Sequence, residues 1–239
     1  MNIKIGSLIK TTLIDFPGKV ASVVFFQGCN FRCGYCYNID VVLPERFGEP
    51  RNTKEVLEFL QERKALLDGV VLLGGEPLMQ KDIIDFAQHV KDLGLAVKLD
   101  TNGSFHGKLK AMIDRNLVDY VAMDVKAPLE YEKYYEVAKC PVEAFNNVLK
   151  SIDLIKQSGI PYEFRTTIVP AMLKPDVALR IARQIAPVKK YVLQNFFSGA
   201  DAYIDTRFTD IKPYPIWELE DVAKQIKNEN LADEVLVRE

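Results

Sequence analysis

The chain has 239 residues, 48% hydrophobic and 27% charged, the balance of an ordinary globular protein with ample material for a core. Its 31 Lys and Arg stand against 33 Asp and Glu, a formal charge of -2, and both signs are scattered along the chain. This excludes an electrostatic case for nucleic acid or a membrane surface as the main partner. The opening MNIKIGSLIKTTLIDFPG has neither the apolar core nor the cleavage site of a signal peptide, and no apolar run approaches the roughly 18 to 20 residues of a bilayer span. A cytoplasmic protein is expected.

In chain order, short apolar and β-branched runs fall at 20–27 (VASVVFFQ), 70–73 (VVLL), 96–100 (AVKLD), 119–126 (DYVAMDVK), 162–169 (YEFRTTIV) and 190–196 (KYVLQNF). Their near-continuous apolar character predicts strands of a parallel sheet covered on both faces. Helical stretches separate them. Asn52 with Glu55 reads as a capping box opening a segment that runs to Gly69, and KDIIDFAQHVKDLG closes at Gly94. HGKLKAMIDRNL follows. Pro141 suits the first turn of a helix closing at Gly159, and Pro175 and Pro187 bracket the last. The stretch 129–139 (LEYEKYYEVAK) reads as an amphipathic helix or loop surface rather than an aromatic binding platform. Six strands alternating with helices, without a linker or repeat, predict a single α/β domain over 1–239. A doubly wound sheet and a complete or partial barrel of β/α units both satisfy this pattern. Both place chemistry at the C-terminal ends of the strands.

Polar residues collect at those ends. The first strand runs into GCNFRCGYCYN (28–38), the second into GGEP (74–77), the third into DTNG (100–103) and the fourth into MDVK (123–126). The fifth carries Arg165 and the sixth Gln194 and Asn195. Three of the four cysteines, Cys29, Cys33 and Cys36, lie within eight positions. In a reducing compartment such clustering points to metal binding or redox chemistry rather than disulfides. A structural zinc site asks for four protein ligands, and an iron-sulfur cubane takes one cysteine per iron, so three thiolates leave one position open. Cys140 would close the set; the alternative is a packed thiol. His89 and His106 are too few and too isolated to suggest histidine catalysis.

The C-x3-C-x2-C spacing, with the aromatic Tyr35 just before the last cysteine and a strand just before the loop, resembles the cluster loop of radical S-adenosylmethionine (SAM) enzymes. The resemblance implies that Cys29, Cys33 and Cys36 bind a [4Fe-4S] cluster whose open iron is chelated by S-adenosyl-L-methionine. It further implies reductive cleavage to methionine and a hydrogen-abstracting 5′-deoxyadenosyl radical. GGEP alone would be a plain turn; beside such a loop, the backbone of Gly74 and Gly75, the Glu76 carboxylate and Pro77 match the segment that binds the cofactor's ammonium group.

TTLIDFPG, the cluster loop with its strand, LDTNG and MDVK together resemble the activating enzymes of glycyl radical enzymes, most closely those serving anaerobic ribonucleoside-triphosphate reductase. The likeness runs from about residue 6 to the strand near 195. It implies a partial (β/α)6 TIM-like barrel, a single-cluster oxidoreductase, a separate glycyl radical enzyme as partner, and a low-potential electron donor such as flavodoxin or ferredoxin. By the same resemblance Asp100, Thr101 and Asp124 match ligands of a monovalent cation beside the cofactor. Lys126 and Arg165 match groups that steady its carboxylate, and Asn102 and Gln194 match further cofactor contacts. Asn38 supports the cluster loop, and Asp15 matches an aspartate near the target glycine. Each has a plainer reading. Arg165 and Lys126 suit a strand-end ion pair, and DFPG and Thr101 to Gly103 suit turns. Two departures stand out, Phe16 where the activases carry glycine and Tyr37 where they carry histidine. A superfamily member acting on a small molecule, nucleoside or peptide, and a non-enzymatic iron-sulfur or zinc protein, are the rival readings.

Overall fold

The structure, a computed structural model, describes residues 1–238. A strand β1 (Ile5–Thr12) pairs antiparallel with β2 (Ala21–Phe26), and β2 opens a run in which every later neighbour is parallel. That run continues through β3 (Gly69–Gly74), β4 (Ala96–Thr101), β5 (Tyr120–Asp124), β6 (Tyr162–Ile168), β7 (Val188–Asn195) and β8 (Ala232–Arg238). The helices between them are α1 (Ile39–Val42), α2 (Thr53–Arg63), α3 (Ile83–Asp92), α4 (His106–Asp114), α5 (Tyr131–Ala138), α6 (Val142–Gln157), α7 (Pro175–Ile185) and α8 (Ile216–Asn228).

Spatial order equals chain order from β1 to β8. A doubly wound sheet would reverse direction at a switch point; this one winds one way and stays open, as a partial barrel does. The expected six β/α units are β2 to β7, and the structure adds an edge strand at each end. Side-chain alternation sorts the two faces. Val24, Phe26, Val70, Leu72, Val97, Leu99, Val121, Met123 and Phe164 share one large core with the buried faces of the helices. The inner face holds a small apolar plug, Phe16, Ala21, Val23 and Val71, with Tyr120 packed on it. No helix among the described residues is long and apolar enough to cross a membrane.

Local signals behave as chemistry dictates, with some shifts. The Asn52 side chain caps α2 by accepting from the Lys54 N–H at 2.9 Å. That helix ends at Arg63 rather than at Gly69, which instead begins β3. A Cβ at Gly69 would lie 2.7 Å from the Ala96 carbonyl oxygen and 2.9 Å from the Phe16 ring, so glycine is what admits the plug. Pro141 is the N-cap of α6, one position earlier than expected, and Pro175 opens α7. The 129–139 stretch does form a helix, α5, which buries Tyr134 and Val137.

Candidate active site

The cysteine loop leaves the C-terminal end of β2 and is tied down on three sides. Gly28 donates to the Val41 carbonyl at 2.7 Å and accepts from the Glu76 N–H at 2.8 Å. The Arg32 N–H reaches the Ala138 carbonyl at 2.9 Å, while its guanidinium folds back on the carbonyls of Cys29 at 2.6 Å and Phe31 at 2.8 Å. The segment after β7 lies along the other arm, where Ile204 and Asp205 donate to the carbonyls of Cys36 and Gly34 at 3.0 and 2.9 Å. None of Arg32, Ile204 or Asp205 had a signature in the sequence.

This loop walls one side of a cavity of about 370 Å³ at the C-terminal ends of the strands. Cys29, Cys33, Tyr35, Cys36, Asn38, Gly74, Gly75, Asp100, Thr101, Asn102, Asp124, Lys126, Arg165 and Gln194 all line it. Three predicted residues do not. Glu76 is wholly buried beneath the floor: Oε1 accepts from the Leu78 N–H at 3.1 Å and the Thr101 hydroxyl at 2.8 Å, and Oε2 from the Asn102 N–H at 2.7 Å. Its carboxylate therefore joins the ends of β3 and β4, and Pro77 is buried beside it. Asp15 sits in the β1–β2 loop, at the beginning of the parallel strands because Thr12 pairs with Ala21. Its carboxylate accepts from Thr12 at 2.5 Å, and its neighbour Phe16 plugs that end of the inner face, so the structure does not bring Asp15 to the cavity. Cys140 is fully buried in the core and contributes nothing to the wall.

Gly74 and Gly75 are required by close approach. Gly74 has φ +129°, and a Cβ on Gly75 would stand 2.0 Å from the Gly28 carbonyl oxygen. Only bare backbone lets GGEP lie against the cysteine loop.

The floor is a chain of ion pairs. Lys98 pairs with Asp100; Arg165 spans Asp100 at 2.6 Å and Asp124 at 2.9 Å; Lys126 holds the other Asp124 oxygen at 2.8 Å. Two cations, Lys126 and Arg165, and two carboxylates, Asp100 and Asp124, line the cavity, with Lys98 and the Glu76 carboxylate behind them. Burial works to raise the Asp124 carboxyl, but Arg165 and Lys126 outweigh it and hold it down at about 2. A carboxyl depressed below its unfolded value stabilises the fold above the unfolded pKa and loses that contribution as pH falls through the folded one. We expect Asp124 to supply about 2 kcal/mol that disappears between about pH 4 and pH 2. Urea denaturation across that window should show a flatter profile for Asp124→Asn.

Sequence reading missed Lys98, although its spacing of two from Asp100 on one strand puts both on the inner face. It also missed the layer beneath, where Arg238 of β8 makes a bidentate pair with Glu163 at 2.8 and 2.9 Å and Tyr120 donates to the same carboxylate at 3.0 Å. Partners this distant in sequence leave no local trace.

The Glu76 geometry carries a prediction. Every partner recorded for it is a donor, and each oxygen has one backbone N–H. In Glu76→Gln the amide NH2 must face Leu78 or Asn102 as donor against donor, so a loss of about 1 to 3 kcal/mol is expected in chemical denaturation.

Residues 23–178 match the Radical SAM superfamily. Over 245 residues the chain is 34% identical to a Methanocaldococcus jannaschii protein provisionally described as a glycyl-radical enzyme activating enzyme, covering 100% of this chain and 97% of that one. It is 29% identical over 247 residues to the pyruvate formate-lyase-activating enzyme of Clostridium pasteurianum, covering 98% of each. Streptococcus suis SuiB bound to S-adenosylmethionine superposes with a TM-score of 0.68 over 91% of this chain and 51% of that one. At 14% identity that likeness carries the fold alone, and this chain spans about half of SuiB. The chain belongs to the radical SAM superfamily. Within it, the chain is a relative of the glycyl-radical enzyme activating enzymes, and the partial barrel is the fold it shares with radical SAM neighbours. Membership implies a [4Fe-4S] cluster and S-adenosyl-L-methionine as cofactors.

The residues present fit those groups. All four cysteines are free of disulfides. Burial pushes the Cys29 thiol up to about 12 and Cys33 up to about 11, so these sulfurs become thiolates only against a strongly electropositive partner. Among the described residues no three His, Cys, Asp or Glu side chains are gathered as for one metal ion. A tetrahedral zinc would need such a gathering, whereas a cubane holds its cysteine sulfurs further apart. The buried Tyr35 hydroxyl in the same wall has no hydrogen-bond partner among the described residues and so has capacity left for a polar ligand.

Proposed function

We propose that this protein generates a radical on a glycine of a separate glycyl radical enzyme, using a [4Fe-4S] cluster held by Cys29, Cys33 and Cys36. The observation that carries the reading is the convergence of the three cysteines, the bare backbone of Gly74 and Gly75 and the ion-paired Lys126 and Arg165 on one cavity at the strand ends. When bound, the reduced cluster supplies the electron that cleaves S-adenosyl-L-methionine to methionine and a 5′-deoxyadenosyl radical, which takes hydrogen from the glycine Cα.

The chain's own residues bind, orient and shield. Lys126 and Arg165 supply the positive charge for the cofactor carboxylate in a partly dry cleft, where a charge-assisted pair is strongest. Gly74 and Gly75 offer backbone for its ammonium group, and Glu76 holds their turn against β4 rather than touching the cofactor. Asn38 and Gln194 complete the wall. Asp100, Thr101 and Asp124 are the proposed seat of a monovalent cation, which would take over oxygens that Lys98, Arg165 and Lys126 engage here. Asp15 is left out of the proposed site.

For the partner, the sequence resemblance favours anaerobic ribonucleoside-triphosphate reductase, and the Clostridium pasteurianum relative makes pyruvate formate-lyase the alternative. A low-potential flavodoxin or ferredoxin is the proposed donor. The test is anaerobic incubation of reduced, reconstituted protein and S-adenosyl-L-methionine with each candidate in turn, read by EPR with 5′-deoxyadenosine quantified. A glycyl doublet matched by 5′-deoxyadenosine names the partner. 5′-Deoxyadenosine without a doublet on either would move the assignment to the small-molecule branch of the superfamily.

A further inference from the structure

Behind Cys29 lies a closed ring of three polar side chains, one of which, Asn102, also lines the cavity. The Asn30 Nδ2 donates to the Ser104 hydroxyl at 2.8 Å, and that hydroxyl donates to Asn102 Oδ1 at 2.6 Å. The Asn102 Nδ2 completes the ring on Asn30 Oδ1 at 3.1 Å. The orientation of the Asn102 amide is fixed by these partners. Its oxygen also receives the Ser104 N–H at 2.9 Å, so only its nitrogen can face the other way. That nitrogen lies 3.9 Å from Cys29 Sγ, which also receives the Phe31 N–H at 3.4 Å.

The ring is braced from outside, and two of its three members are buried. Asn102 and Ser104 are 6% and 4% exposed. One turn apart on α6, Asn147 donates to the Ser104 carbonyl at 3.1 Å and Ser151 to the Gly103 carbonyl at 2.7 Å. A side chain held by so many bonds does not turn its amide to suit a passing ligand.

Hydrogen bonds to ligand sulfur are a main lever on an iron-sulfur potential, because an N–H stabilises the more negative, reduced cluster. We infer that the Asn30–Asn102–Ser104 ring is a built-in redox tuner, with Asn102 as the positioning residue that delivers an N–H to Cys29 and raises the potential of the cluster. The inference rests on the proposed ligation by Cys29, and its test separates the two.

The experiment is a redox titration of the reconstituted protein and its variants, followed by EPR of the reduced cluster, with iron and acid-labile sulfide measured on each sample. In Asn102→Leu, which removes the donor without adding charge, the ratio of reduced to oxidised cluster at a fixed potential should fall about tenfold, or 59 mV for a one-electron couple. Asn102→Asp should shift the same way. Ser104→Ala, which keeps Asn102 but opens the ring, should shift less. A wild-type potential in Asn102→Leu carrying full iron and sulfide would overturn the inference; if that variant assembles no cluster, a wild-type potential in Ser104→Ala does so. Absence of iron and sulfide from the wild-type protein would instead overturn the cluster assignment itself.

Discussion

Replacing Cys29, Cys33 or Cys36 singly by Ala is expected to abolish cleavage of S-adenosyl-L-methionine and to lower the iron and sulfide recovered after reconstitution. The reason is coordination arithmetic. Three cysteines ligate three irons and leave the fourth for the cofactor, so a missing thiolate opens a second iron and the cluster is lost or degraded. No other cysteine lines the cavity to substitute. Cys140→Ala is the internal control. Its thiol is packed in the core, so the variant should keep cleavage and lose only packing, about 1 kcal/mol. Equal loss of activity in Cys140→Ala would place that thiol in the chemistry.

Arg165→Ala carries the second large effect. Arg165 is 12% exposed and, among the described residues, is the one bonded to both Asp100 and Asp124. Removing it leaves two desolvated carboxylates short of a partner, and breaking a buried pair in this way costs about 3 to 5 kcal/mol. The same change deletes the cation proposed to face the cofactor carboxylate. Urea denaturation should therefore show the loss of stability, and anaerobic equilibrium dialysis a loss of cofactor affinity. Arg165→Lys should recover part of the first and less of the second, because an ammonium lacks the planar fork that reaches two carboxylates at once. Unchanged cofactor binding in a folded Arg165→Ala protein would remove Arg165 from the site.

Much of this site was legible because its chemistry is local in sequence. The cysteine loop, GGEP, DTNG and MDVK each follow a strand whose apolar run is easy to see, and parallel topology carries all of them to one rim. The pairing of Arg165 with Asp100 and Asp124 joins three such strand ends. What was not legible depends on long-range packing or on weak patterns. β1 is half-buried or exposed from 6 to 11 at a sheet edge and carries Ser, Lys and Thr there, and β8 has exposed Asp233 and Glu234 after its first residue, so neither shows the continuous apolar run of a central strand. Glu76 looked like a cofactor ligand because it follows Gly74 and Gly75, which do line the cavity; its burial depends on Thr101 and Asn102, twenty-five residues and more away. Phe16 and Asp15 share one turn, yet only the register of β1 on β2 reveals that the turn lies at the far end of the barrel from the cysteines.

The most direct test of the central claim is 5′-deoxyadenosine production by the reconstituted, dithionite-reduced protein with S-adenosyl-L-methionine and no partner present. The account predicts cleavage by wild type, none by Cys33→Ala, and about four irons with matching sulfide per chain in the active sample. A wild-type protein that holds that complement of iron and sulfide yet forms no 5′-deoxyadenosine, or one that holds zinc without sulfide, would contradict it.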